Sequence, residues 1–127
     1  MTHIHTDKAP AAIGPYSQAV SHGNLVFTSG QIPLDAVSGK LVGTGIEEQA
    51  EQVMKNLLAV LDAAGSGSEM IIKTTCFLAD MADFAAFNKI YSKYIQSNPA
   101  RSCFAVRELP MAVRVEVEAV AHCRERE

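Results

Sequence analysis

The spacing of hydrophobic and polar positions changes along the chain, and each change marks an element. From Val113 the residues alternate, with Val113, Val115, Val117, Ala119 and Ala121 on one face and Arg114, Glu116 and Glu118 on the other. That period of two is the mark of a half-buried strand. Ser102–Val106 is a second strand-like run, and Glu108-Leu109-Pro110 supplies a reversal, because proline fixes φ and has no N–H to give a ladder. Paired antiparallel across that turn, the two runs set Arg101 opposite Glu116 or Glu118, so either register leaves Arg101 on the acidic face.

Upstream, Tyr16–Val20 and Leu25–Ser29 read as a hairpin joined by Ser21-His22-Gly23-Asn24. The period then lengthens. Ile46, Ala50, Val53, Leu57, Val60, Leu61 and Ala64 recur at helical spacing behind Thr44 and Glu47, the order of a capping box, and Gly65 ends the helix. Met70–Leu78, rich in β-branched residues, reads as a central strand buried on much of both faces, with Cys76 as packing. Asp80 is placed to cap a second helix whose stripe of Met81, Phe84, Phe87, Tyr91 and Tyr94 is core by default, with Asn88 at its border. The order β-β-α-β-α-β-β predicts an α+β fold: a mixed, largely antiparallel sheet covered on one face by two helices. Apolar residues on both faces of several strands then leave an uncovered sheet surface too large for a monomer.

Composition narrows the function classes. At 127 residues and 48% hydrophobic, the chain is the size of one domain, 1–127, with core enough to need no staples. No apolar run reaches the roughly 18 residues of a membrane span, and Met1–Pro10 lacks the order of a signal peptide. Three cysteines, Cys76, Cys103 and Cys123, form an odd set without Cys-x-x-Cys spacing, which suits reduced thiols and a cytoplasmic location better than a disulfide or zinc framework. His3 and His5 have no further ligand close in sequence, so no metal site is expected. A net charge of −3, with Arg124-Glu125-Arg126-Glu127 as a solvated tail, gives little support to nucleic-acid binding.

The candidate chemistry lies in a few residues. Arginine facing two glutamates is either an ordinary ladder of opposite charges or a site in which guanidinium grips a carboxylate and a glutamate polarises water. Thr28-Ser29-Gly30-Gln31 closes a strand with small residues, where Gly30 permits close approach of a backbone or a ligand. Gly39, Gly43 and Gly45 fall in the loop Leu34–Gly45 and fit neither the P-loop nor the dinucleotide spacing. Tyr16, directly after Gly14-Pro15, either caps the core or lines a pocket.

These blocks together resemble the RidA/YjgF family. The resemblance rests on Ala9-Pro10-Ala11-Ala12-Ile13-Gly14-Pro15-Tyr16-Ser17-Gln18, Thr28-Ser29-Gly30-Gln31-Ile32-Pro33, Lys73-Thr74-Thr75 with Asp83-Phe84 and Asn88, Pro99-Ala100-Arg101-Ser102-Cys103, and Val115-Glu116-Val117, and so covers nearly the whole chain. It implies a chorismate mutase-like fold, a homotrimer whose sheets pack into a central barrel with sites between subunits, and hydrolysis of reactive enamines and imines such as 2-aminoacrylate to 2-oxo acids and ammonia. No metal or organic cofactor is implied. In that reading Arg101 and Glu116 are catalytic, Arg101 binding the substrate carboxylate and Glu116 orienting water. Tyr16, Ser29, Gly30, Asn88 and Cys103 join Arg101 in binding substrate, Cys103 through its backbone rather than its thiol. The alternatives are a non-enzymatic trimer that binds small carboxylates, or a translation-inhibitory ribonuclease. The chain departs from the family pattern before Pro99, where the connection from the second helix is short and Asn98 stands in place of an aromatic residue. That departure alters the mouth of the pocket.

Overall fold

The computed structural model describes residues 1–124, so Glu125 to Glu127 of the charged tail lie outside the described residues. Six strands and two α-helices follow in the order β1 (Thr2–Ile4), β2 (Ala19–His22), β3 (Leu25–Thr28), α1 (Ile46–Ala63), β4 (Ile71–Leu78), α2 (Phe84–Tyr94), β5 (Ala100–Ala105) and β6 (Val115–His122). The expected α+β order is present, with β1 added at the front. That strand pairs with β2 and carries His3, whereas His5 lies beyond its end. The first hairpin is tighter than its sequence suggests: β2 runs on to His22 and β3 begins at Leu25, so Tyr16, Ser17 and Gln18 belong to the preceding loop.

The strands form one sheet in the order β1-β2-β3-β6-β4-β5. Here the structure overturns the expected terminal hairpin. Strand β4 lies between β5 and β6, parallel to β5 and antiparallel to β6, so the two expected partners never touch. The connection 106–114 is not a tight turn: Met111 and Ala112 both take positive φ, and the chain passes the end of β4 while Val106 N–H donates to Leu78 O and Ala79 N–H donates to Arg114 O. Arg114 consequently precedes β6. It leaves the acidic face to donate to Thr44 O at 2.8 Å and to pair with Asp83 at 3.1 Å.

Both helices cover the sheet face that carries Thr74, Cys76 and Leu78 of β4 and Val115, Val117, Ala119 and Ala121 of β6. Against it α1 buries Ala50, Val53, Met54, Leu57, Val60 and Leu61, and α2 buries Phe87, Ile90 and Tyr91. Gly65, at φ +80, ends α1 as its position implied. The capping box does not form. Gly45 is the N-cap with no side-chain bond, and the N-terminal end is instead tied down by buried Gln49, which donates to Gly43 O and accepts from Arg114 N–H. Asp80 does cap, accepting from Ala82 N–H at 2.8 Å, but it caps a single 3-10 turn that leads into α2. Met81 of the aromatic stripe is left exposed by that turn.

The opposite face carries no helix. Phe27, Ile72 and Phe104 are exposed there, Phe77 stacks edge-on against Phe104 at 5.5 Å, and β4 is thus buried on one face only. Among the described residues no helix is long and apolar enough to cross a membrane.

Hydrophobic periodicity did not reveal that several amides sit in the core. Asn56 is 1% exposed and donates to Ile32 O and Leu34 O at 3.1 and 2.9 Å while accepting from Gln52. Gln18, equally buried, clasps Thr6, Ala9 and Pro10. Replacing Asn56 with leucine, close to it in size, strands two buried carbonyls. Asn56→Leu should therefore lose about 2–3 kcal/mol in urea unfolding at fixed protein concentration, and a midpoint equal to the parent's would show the clasp to be dispensable.

Candidate functional site

Residues side by side in a ladder point the same way. Arg101 of β5 lies beside Thr74 of β4, on the helix-covered face, and its guanidinium reaches the flank of α2. Phe84, Asn88 and Tyr91 fall at helical spacing on that flank. The guanidinium carbon sits 5.6 Å from the Phe84 ring centroid and 5.0 Å from that of Tyr91, within cation–π range of both. Nη1 donates to Asn88 Oδ1 at 2.7 Å. No carboxylate among the described residues pairs with Arg101. Its remaining donors border an open cleft of about 320 Å³ lined by Asn88, Tyr91, Ser92, Ile95, Pro99 and Arg101. Asn98, at the place expected to alter the pocket mouth, also lines it and adopts φ +53.

Cys103 follows on the same face beside Cys76. Burial pushes its thiol up despite the opposing pull of the Arg101 charge, and burial pushes Cys76 up to about 12, so both stay protonated near neutrality. Neither thiol is an activated nucleophile. Strand β5 is an edge of the sheet, so one side of its backbone carries unpaired polar groups.

Glu116 occupies the other face. Its neighbour in the β4 ladder is Phe77, and that of Glu118 is Thr75, both on the helix-free side. The expectation that Arg101 shares the acidic face is therefore wrong for a single chain, because the inserted β4 changes the register by which Arg101 is placed. Glu116 is half-buried, and its carboxyl is held above the usual carboxylate range first by desolvation and then by the charge of Glu118. Gly30 is drawn over it because Gln31 exchanges backbone hydrogen bonds with Val117 at 2.8 and 3.2 Å. A Cβ on Gly30 would run into the Glu116 carboxylate, so a larger residue there needs that side chain to shift.

Ser29 Oγ donates to Ser17 O at 2.6 Å, which ties the end of β3 to the loop carrying Tyr16. Tyr16 itself is exposed. The candidate residues thus divide into two groups: Asn88, Arg101 and Cys103 on the helix side, and Glu116 with Gly30 on the bare face. Sequence reasoning assigned Phe84 and Tyr91 to the core and gave Thr74 no role, yet the two rings bracket Arg101 and Thr74 Oγ1 lies 2.8 Å from Tyr91 Oη. The available signal was Asn88, a polar residue between two aromatics on one helix face.

The fold places the chain among α+β proteins with one mixed sheet and two helices. Within that class it belongs to the Endoribonuclease L-PSP family, whose profile matches residues 6–123, in agreement with the RidA/YjgF motifs. It is 51% identical over 119 residues to the 2-iminobutanoate/2-iminopropanoate deaminase of Mus musculus, covering 93% of this chain and 88% of that one. It is 47% identical to the chloroplastic Reactive Intermediate Deaminase A of Arabidopsis thaliana, of which it spans 64%. Among solved structures, a putative endoribonuclease from Thermotoga maritima is 47% identical with a TM-score of 0.95, covering 98% of this chain and 99% of that one. E. coli TdcF with bound serine is 41% identical with a TM-score of 0.92, covering 98% and 100%.

The packing of Gly30 on Glu116 is open to a coupling measurement. Gly30→Ala should destabilise the protein by about 1–3 kcal/mol by displacing the carboxylate. In a Glu116→Ala background the same change should lose at least about 1 kcal/mol less, as a double-mutant cycle in urea reads it. Additive effects would mean the two residues do not meet.

Proposed function

We propose that the protein is an enamine/imine deaminase that converts small 2-imino acids, including the imine tautomer of 2-aminoacrylate, to 2-oxo acids and ammonia. The observation that carries this reading is Arg101: a guanidinium bracketed by two rings, oriented by Asn88, lacking a carboxylate partner among the described residues and facing a cleft sized for a small acid. The names of the mouse and Arabidopsis relatives support the reaction class, and serine in the E. coli neighbour supports a small ligand.

In this mechanism Nη2 and Nε of Arg101 bind the substrate carboxylate as a two-pronged clamp. Glu116 orients a water and takes its proton as the oxygen bonds to the imine carbon. The proton then passes to nitrogen to give a carbinolamine. As the C–N bond breaks, the hydroxyl proton moves by way of Glu116 to the departing nitrogen, so that the oxygen becomes the carbonyl of the 2-oxo acid and ammonia leaves. A carboxyl held above its ordinary range is a stronger base than a solvated one, which suits the role. An imine is electrophilic enough that positioning and one carboxylate suffice. Gly30 and Cys103 contribute backbone groups, and Tyr16 and Ser29 the wall.

One small acid cannot touch both faces of a sheet, so the site is shared: Arg101 of one subunit meets Glu116 of a neighbour. The helix-free face with Phe27, Phe77 and Phe104 is the surface available for such packing, and a homotrimer is the assembly this reading requires. Three free thiols fit a cytoplasmic setting. A ribonuclease reading has less behind it, because a net charge of −3 and two glutamates on the open face oppose an RNA backbone.

Arg101→Lys should nearly abolish ammonia release from freshly generated 2-aminoacrylate with little change in folding, since one ammonium cannot reproduce the clamp. Glu116→Gln should slow turnover by roughly 10² or more, and Glu118→Gln much less. A slow Glu118→Gln beside a fast Glu116→Gln would move the water to Glu118. The shared site has its own test. Arg101→Lys and Glu116→Gln chains, unfolded together and refolded at equal amounts, should recover about a quarter of parental activity, because that fraction of interfaces regains both native residues. A site built within one subunit recovers none.

A further inference from the structure

We infer that Tyr91, anchored by Thr74 and opposed by Phe84, is a positioning residue that sets the plane of the Arg101 guanidinium and so the affinity of the site for carboxylates. The inference rests on the carboxylate role proposed for Arg101. Thr74 is fully buried on β4, beside Arg101 in the ladder, and its hydroxyl lies 2.8 Å from Tyr91 Oη. A phenol held at its oxygen cannot swing away at χ1, and Phe87, whose ring centroid lies 5.7 Å off at an interplanar angle of 53°, packs against its plane, so the ring stays beside the guanidinium carbon at 5.0 Å. Phe84, two turns earlier on α2, supplies a second face at 5.6 Å, and Asn88 between them takes one N–H.

Arginine is long and rotamer-rich, and an exposed one samples many orientations. Here two rings restrict the guanidinium plane and one amide restricts its rotation within that plane. The donors left over belong to a side chain that lines the cleft together with Asn88 and Tyr91. Burial holds the Tyr91 hydroxyl above its ordinary range, so the ring acts as a neutral aromatic face and never as a phenolate counter-ion that would compete with the substrate. The arrangement also accounts for a buried threonine in a strand whose other inward residues, Cys76 and Leu78, are apolar.

The experiment is calorimetric titration of the full-length protein with pyruvate, together with kinetics on an imine substrate. Tyr91→Leu should weaken pyruvate binding by about 5- to 10-fold and raise KM more than it lowers kcat, while Phe84→Leu, at the longer distance, should weaken binding by about 2- to 5-fold. Tyr91→Phe keeps the ring but loses the Thr74 anchor, and should recover part but not all of the affinity lost in Tyr91→Leu; full recovery would overturn the anchoring by Thr74. A merely structural role would lower the folded fraction but leave the KM of the folded protein unchanged. Parental affinity in folded Tyr91→Leu overturns the inference, and so does a Tyr91→Phe protein as weak as Tyr91→Leu. If Tyr91→Leu does not fold, Phe84→Leu decides alone, with parental affinity again overturning it. Arg101→Ala separates the two levels: if it binds pyruvate like the parent, the carboxylate role of Arg101 fails, whereas loss of binding there beside parental binding in both leucine variants removes only the positioning role.

Discussion

Strand β4 is hydrogen-bonded on both sides, parallel to β5 and antiparallel to β6, and the placement of every charged residue at the candidate site depends on it. A parallel pair cannot be closed by a short turn, so the chain must cross over between β4 and β5, and α2 is that crossover. The helix is thereby laid beside β5, which brings Phe84, Asn88 and Tyr91 to Arg101. The return into β6 on the far side of β4 turns Val115 and Val117 toward the same helices. With the pleat alternating, Glu116 is then obliged to face away. A sheet thickness separates the acid from the arginine within each chain.

The two charged groups are held in opposite ways. Arg101 is exposed but restrained by rings and an amide, whereas Glu116 is partly desolvated and lies in the room that Gly30 leaves by having no side chain. Neither has an ion-pair partner among the described residues. Charges left in this state are unfavourable to the free chain and are a common feature of sites completed by a ligand or another subunit. Both lie where the single chain is open, one at an edge strand and the other on a bare sheet face.

Loops reach these positions through buried amides. Gln18 clasps the stretch leading to Tyr16, Asn56 holds the segment after Gln31 onto α1, and Gln49 ties Gly43 to the start of β6. Each satisfies backbone groups that would otherwise be buried without partners, at a net gain of only about 1 kcal/mol apiece but with a larger penalty if removed. Position, more than stability, is what they secure.

The sequence by itself determined the elements and the family. Periods of two and 3.6, together with Gly65 and Asp80 as punctuation, placed both helices and the longer strands close to where they lie, and the Pro99–Cys103 and Val115–Val117 blocks pointed to a family that the comparisons bear out. Those signals are local, written within a few residues. Strand partnership is not local: alternation tells which residues share a face of one strand but not which strand lies beside it, so a turn at Pro110 looked like a hairpin although β4, some thirty residues earlier, fills the gap. The same limit hid the burial of Asn56 and Gln18, whose partners are loop carbonyls distant in sequence, and the pairing of Thr74 with Tyr91. Only the tertiary structure decided that Arg101 and Glu116 occupy opposite faces, because a side chain's face is set by the register of its strand against neighbours that the chain reaches through a helix.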